Sequence, residues 1–274
     1  VLLKVAAVTP LVGKLIEDIV AAGNLPPGLF YHLAGSGGAI STAMFEHGIN
    51  KLFFTGSVPA GKQLMAQAAE TLTPLSLELG GKDPMVVLED ADLERATNGA
   101  AWAGLQNAGQ SCGGVERIYV HESIYQSFVD LLATKVKALR HGAASAGCAV
   151  DIGAMTTAKQ RMTVERQVAN AIAEGATVVA ESRRVGDHNG EFHPALLMTD
   201  VTHDMSLMRD ETFGPVLPVM SFRTEDEAVR ARIADVPFDA VGHVSASFGV
   251  ATWNHVEDAH ALIKRADTAL YVAK

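Results

Sequence analysis

The chain has 274 residues, 48% hydrophobic and 19% charged, which gives ample material for one large or two small soluble domains. A net charge of −9 with no basic run argues against nucleic acid as a partner, and no apolar run approaches the length of a membrane span. Two cysteines in unrelated contexts make no disulfide framework and suit a reducing cytoplasm.

Short apolar runs alternate with helical patterns, which predicts an α/β fold with a doubly wound, mostly parallel sheet. Val1 to Leu3 reads as a strand, and the absence of a starting methionine there suggests truncation. Pro10 to Ala22 reads as a helix, closed by Gly23. Leu29 to Leu33 is a strand, and Gly35 to Gly38 turn into a helix that runs through Glu46. Lys51 to Phe54 is the next strand, followed by the turn Gly56 to Gly61 and a helix from Pro59 to about Thr71. Three βα units, the second and third with a glycine turn after the strand, have the rhythm of a nucleotide-binding fold.

Further along, Met85 to Leu88 is a strand, and Asp92 caps a helix reaching Asn107. Ile118 to Val120 and the helix Ile124 to Leu139 follow. Thr156 to Glu174 is a long helix, Thr177 to Val179 a strand, and Arg183 to Glu191 a polar surface loop. A first domain boundary is expected near Gly81, which gives 1–81 as a partial dinucleotide-binding domain and 82–229 as a catalytic thiol domain.

Chemistry concentrates at a few positions. Cys112 lies in Asn107-Ala108-Gly109-Gln110-Ser111-Cys112-Gly113-Gly114, where small neighbours leave a thiol within reach of a substrate. Glu78 stands between Leu77 and Leu79, ahead of Gly80 and Gly81. That apolar setting is expected to raise its pKa and prepare it as a general base. The alternatives are an inert thiol at Cys112 and a half-buried strand carboxylate at Glu78. Gly56 and Ser57 sit between strand and helix, where a backbone can approach a phosphate. The near-miss to a P-loop fails at Gln63, which has no hydroxyl for magnesium. The ten histidines are scattered without metal-ligand spacing, so no metal is expected. Cys148 reads as a small apolar residue.

Glu78-Leu79-Gly80-Gly81-Lys82 followed, 34 residues after Glu78, by Cys112 within Gly109-Gln110-Ser111-Cys112 resembles the aldehyde dehydrogenase superfamily. Phe54-Thr55-Gly56-Ser57 resembles its cofactor-phosphate turn, Glu211-Thr212-Phe213-Gly214-Pro215 its nicotinamide-ribose motif, and Val1 to Pro10, with Lys4, its adenosine-side strand. The resemblance covers residues 1 to about 230, roughly the middle half of a full family member. It implies NAD or NADP as cofactor, a small-molecule aldehyde as substrate, Cys112 as nucleophile and Glu78 as the base that activates water. It also implies that Lys4, Gly56, Ser57, Glu211 and Phe213 bind the cofactor, with Asn107 or Lys82 lining the site. The acid expected three residues beyond Lys4 is replaced by Ala7, which clouds the choice between NAD and NADP. The family's asparagine oxyanion donor belongs upstream of Lys4, and a homo-oligomer stays open.

The remainder does not fit. Val244 to Ala251 and Lys264 to Lys274 resemble the end of a diguanylate cyclase (GGDEF) domain without its signature loop, so 230–274 reads as a remnant and the chain as a chimera joined around 228–232. A rival reading is a non-catalytic signalling module with a degenerate cyclase end.

Overall fold

The computed structural model describes residues 1–143, 150–186, 189–224 and Glu227. Cys148 and the 230–274 segment lie outside the described residues.

The first part of the chain consists of βα units. Strand β1 (Leu2–Leu3) leads to helix α1 (Pro10–Ala22), β2 (Tyr31–His32) to α2 (Gly37–Glu46), and β3 (Leu52–Thr55) to α3 (Val58–Thr71). Strand β4 (Leu75–Glu78) follows. β1 pairs in parallel with β2, and β3 with β4. Local signals set the helix starts. Ser36 Oγ accepts the Ala39 N–H at 3.3 Å, Ser57 Oγ accepts the Ala60 N–H at 3.4 Å, and Pro10 opens α1. The α3 helix ends on Leu72 in the left-handed conformation (φ 52°). The core of this part is small: Phe45, Leu64 and Ala68 are buried, with Ile49, Leu52, Phe54 and Leu75 packed around them.

The second part is built on a five-stranded sheet. Its strands are β5 (Asp83–Val87), β6 (Val115–His121), β8 (Thr177–Glu181), β10 (Leu196–Thr199) and β11 (Val216–Phe222), in the order β5-β6-β11-β10-β8. All neighbours are parallel except β8, which runs antiparallel to β10. Helices α4 (Leu93–Leu105) and α5 (Tyr125–Ala138) pack on each other and on this sheet, and α6 (Ala158–Ala173) packs on α7 (Ser206–Arg209). Gly104 lets α4 come close to the sheet: a Cβ there would overlap the Leu217 side chain and lie 2.9 Å from the Val115 carbonyl oxygen. The main core is continuous through Ile118, Val120, Phe128, Leu132, Leu197 and Leu217, all fully buried.

The α/β alternation read from the sequence is therefore the architecture, with three differences. The helix expected to reach Asn107 stops at Leu105, and a 3₁₀ turn (Gln106–Gly109) follows. In that turn Asn107, Ala108 and Gly109 are all left-handed, at φ 52°, 56° and 69°. The stretch 183–191 expected as a loop contains β9 (Arg183–Arg184), which pairs with β7 (Arg140–His141). Strand β5 starts at Asp83 and takes in Pro84, because β5 is an edge strand and its pairing with β6 shifts register between Asp83 and Pro84.

Phe128 is fully buried at the centre of the α5 face. Phe128→Ala is expected to lower unfolding free energy by about 3–5 kcal/mol in denaturant titration. A loss below about 1 kcal/mol would mean that α5 is not part of the central core.

Candidate active site

β5, β6, β11 and β10 run parallel, so the loops entering them gather at one edge of the sheet. That edge receives Leu79–Lys82 before β5, Ser111–Gly114 before β6 and Glu211–Pro215 before β11. The turns after β1, β2 and β3 leave the carboxyl ends of those strands, where nucleotide-binding sheets place their ligands. The chain crosses from β4 to β5 in the four residues Leu79 to Lys82, so the two sets of loops meet there.

Cys112 is exposed, a free thiol with glycines on its carboxyl side. Its backbone carbonyl lies 3.4 Å from where a Cβ on Gly81 would stand, so the Cys112 loop rests on the Gly80–Gly81 turn. The approach to Cys112 is locked. Asn107 Nδ2 donates to the Gln110 carbonyl at 2.9 Å, and Gln110 Nε2 returns a bond to the Asn107 carbonyl at 3.1 Å. Gln110 Oε1 accepts the Thr156 N–H at 2.8 Å. A Cβ at Gly109 would overlap the Gly214 carbonyl, so only glycine lets these two loops touch, and its φ of 69° suits glycine as well.

Glu78 ends β4, and its carbonyl accepts the Gly56 N–H at 3.0 Å, which ties the phosphate-turn candidate to the base candidate. The apolar setting expected for Glu78 is not found. Its side chain is exposed, because strand alternation turns it away from the face on which Leu77 is half-buried. Gly56 and Ser57 are exposed at the start of α3. Lys4 is half-buried just beyond β1, with its Nζ 3.5 Å from where a Cβ on Gly37 would sit, over the first turn of α2.

Glu211 and Phe213 lie in the loop that enters β11. The Glu211 carboxylate lies against the Gly80 backbone so closely that a Cβ there would overlap it. Burial raises its pKa, the nearby Glu116 charge adds to this, and a hydrogen bond from the Gly81 backbone and the Lys82 charge oppose it. Phe213 is left-handed at φ 49°. Lys82 is among the residues expected to line the site; Glu116 and the glutamines that hold this segment carry no motif of their own. Lys82 Nζ reaches Glu116 Oε2 at 2.8 Å and Thr212 Oγ1 at 2.7 Å, with the Lys82 and Glu116 side chains only 9% and 6% exposed. Burial pushes the Lys82 pKa down, against the pull of Glu116. Gln160 and Gln167 on α6 donate to the carbonyls of this segment. The signal for Glu116 is a single acid in the apolar strand Val115 to Val120, where a buried charge requires partners.

Among the described residues no group of His, Cys, Asp or Glu could hold a metal ion. In the same residues no helix is long and apolar enough to cross a membrane. A cavity of about 420 Å³ lies away from Cys112, lined in part by His141, Arg161, Glu181 and Phe192.

The raised pKa of Glu211 has a measurable consequence. Between the ordinary carboxyl value of 4.5 and the higher folded value, the folded chain holds a proton that the unfolded chain has released. Stability attributable to Glu211 therefore falls as pH rises through that window and is level above it. Relative to Glu211→Gln, the wild-type chain is expected to lose unfolding free energy on titration upward from pH 4.5. A difference that is flat or grows with pH would contradict the burial of this carboxyl.

The family model "Aldehyde dehydrogenase family" matches residues 1–236, past the join expected at 228–232. The chain is 38% identical over 228 residues to the succinate-semialdehyde dehydrogenase [NADP(+)] 1 of Mycobacterium tuberculosis, covering 83% of this chain and 50% of that protein. It is 37% identical over 217 residues to the lactaldehyde dehydrogenase of Escherichia coli, covering 79% of this chain and 44% of that one. The NAD⁺ complex of an aldehyde dehydrogenase from Bacillus cereus superposes with a TM-score of 0.81 at 31% identity, covering 97% of this chain and 52% of its own. The chain spans about half the length of the curated relatives it matches. With its Cys112, Gly80–Gly81 and Glu211–Pro215 loops gathered at one sheet edge, and the family match running over them, the chain belongs to the aldehyde dehydrogenase family.

Proposed function

We propose that this chain carries the catalytic half-site for oxidising an aldehyde to a carboxylic acid, with NAD or NADP as the electron acceptor and Cys112 as the nucleophile. The observation that carries this reading is the exposed, free Cys112, whose backbone rests on the same Gly80–Gly81 turn that receives the Glu211 carboxylate.

The residues fit a dinucleotide. The first turn of α3 offers backbone amides beside Gly56 and Ser57 for phosphate oxygens. Lys4 brings a cation to the start of α2, and Glu211 offers a carboxylate for ribose hydroxyls. Phe213 would pack beside the ring. When bound, an oxidised nicotinamide ring supplies hydride-accepting chemistry. The part of Cys112 is to add its thiolate to the aldehyde carbon, forming a carbon–sulfur bond and a thiohemiacetal, and later to hold the acyl group as a thioester. Glu78, exposed at the end of β4, can meet water there. It takes a proton from that water, whose oxygen attacks the thioester carbon, and the Cys112 thiolate leaves with the carboxylic acid released.

The two separate apolar clusters support treating 1–81 and 82–229 as a cofactor part and a thiol part. The relatives named above act on different aldehydes, so the reading commits to the aldehyde group alone.

Ester hydrolysis needs no dinucleotide and tests the thiol alone. Cys112→Ala is expected to abolish acyl-enzyme formation and turnover of an activated ester such as p-nitrophenyl acetate. Unchanged hydrolysis would overturn the assignment of Cys112. Glu78→Gln is expected to let the acyl adduct form and persist, seen by mass spectrometry of the intact chain. Clearance at the wild-type rate would remove Glu78 as the base.

A further inference from the structure

The segment Glu211 to Phe213 is held from two sides by side chains of other elements. On one side stands Glu116 of β6. Its Oε2 accepts the Thr212 N–H at 2.7 Å and its Oε1 accepts the Phe213 N–H at 2.8 Å. Its Oε2 also takes Lys82 Nζ at 2.8 Å. On the other side, Gln167 Nε2 donates to the Glu211 carbonyl at 3.2 Å, and Gln160 Nε2 to the carbonyls of Thr212 and Phe213 at 2.8 and 3.3 Å.

A carboxylate that accepts two consecutive amides fixes their relative direction, because each oxygen is committed to one N–H. Those amides flank the α-carbon of Thr212, so the bridge sets how Glu211 enters the turn and how Phe213 leaves it. Phe213 leaves in the left-handed region, at φ 49°, a conformation that is unfavourable for a non-glycine residue and persists only where surroundings impose it. Charge-assisted bonds to a buried carboxylate are of the strength needed. Glu116 is closed off from solvent: its side chain is 6% exposed, and its oxygens are occupied by Lys82, Thr212 and Phe213.

We propose that Glu116 is a positioning residue for the nicotinamide end of the dinucleotide site. Its carboxylate, bridging the Thr212 and Phe213 amides, sets where the Glu211 carboxylate and the Phe213 ring stand. The inference rests on the reading of Glu211 and Phe213 as cofactor contacts. It goes further in placing control of that segment on a strand that starts three residues after Cys112, so that β6 carries both the nucleophile loop and the anchor of the ribose contact.

The test is calorimetric titration with NAD, NADP and ADP. ADP is chosen because it reports on the adenosine and phosphate contacts without the nicotinamide ribose. The variants are Glu211→Gln, Glu116→Gln and the double variant Glu116→Gln/Lys82→Met. In Glu116→Gln the amide keeps one acceptor but loses the charge and the second acceptor. Affinity for whichever dinucleotide the wild-type chain binds should weaken by roughly 10–100-fold, while ADP affinity stays at its wild-type value. Glu116→Gln also leaves the Lys82 ammonium buried without its partner, which lowers folding stability on its own account. The double variant removes that cation. It should regain thermal stability and still bind dinucleotide as weakly as the single variant, which separates positioning from folding.

Parallel weakening of ADP and dinucleotide in both Glu116 variants would make Glu116 a general structural residue and overturn the proposal. Unchanged dinucleotide affinity would do the same. Glu211→Gln tells the two levels apart. If it weakens the dinucleotide while Glu116→Gln does not, the positioning role alone fails. If Glu211→Gln has no effect, or the wild-type chain binds no dinucleotide up to millimolar concentration, the reading of Glu211 fails and the proposal with it.

Discussion

Lys82 and Glu116 form an ion pair whose side chains are 9% and 6% exposed. Desolvating two charges costs several kcal/mol each, and attraction between them recovers this only when every remaining polar atom is also satisfied. Here Thr212 Oγ1 and the amides of Thr212 and Phe213 supply bonds of that kind. Each of the three parallel strands β5, β6 and β11 thus sends one part of its entrance into a single buried network. A buried pair adds little to stability compared with apolar packing, but it tolerates few alternative arrangements. It acts as a register pin: a one-residue slip of β6 would turn Glu116 to the other face and leave Lys82 without its carboxylate. The convergence of the Gly80, Cys112 and Glu211 loops depends on that register.

The alternation of strands and helices was legible because each βα unit carries its own punctuation. Ser36 and Ser57 as caps, Pro10 at a helix start and Asp92 before α4 are local signals and act locally. The outline of the candidate site came through motif resemblance, since Cys112, Glu211 and the Gly80–Gly81 turn lie in short strings of small and charged residues. What escaped was set at a distance. The end of α4 is decided by Gly109 meeting Gly214, over a hundred residues away, and no helix-stop signal lies between Leu105 and Asn107. The environment of Glu78 was misjudged for a similar reason. Flanking leucines say which face of a strand is apolar, and Glu78 is on the opposite one. Glu116, Gln160 and Gln167 carry no motif, and their role exists only once three elements are brought together.

The two parts of the chain differ in how they are held. The five-stranded sheet is enclosed by one continuous core, whereas the first part relies on two pairs of short strands and a cluster of three buried side chains. Along α1, Leu11, Leu15 and Ile19 are 81%, 59% and 63% exposed, so that helix adds little burial of its own.

This imbalance makes the first part a reporter of occupancy. Regions with few buried contacts open at low free energy, and their amides exchange with solvent long before those of the core. A ligand that binds only the closed arrangement suppresses such opening in proportion to RT ln(1 + [L]/Kd). β3 runs into the phosphate-turn candidate, and β4, paired with it, runs into the four residues Leu79 to Lys82 that lead to β5. Exchange at those strands would therefore register a bound anion at the start of α3, while the amides of β6 and β11 stayed silent.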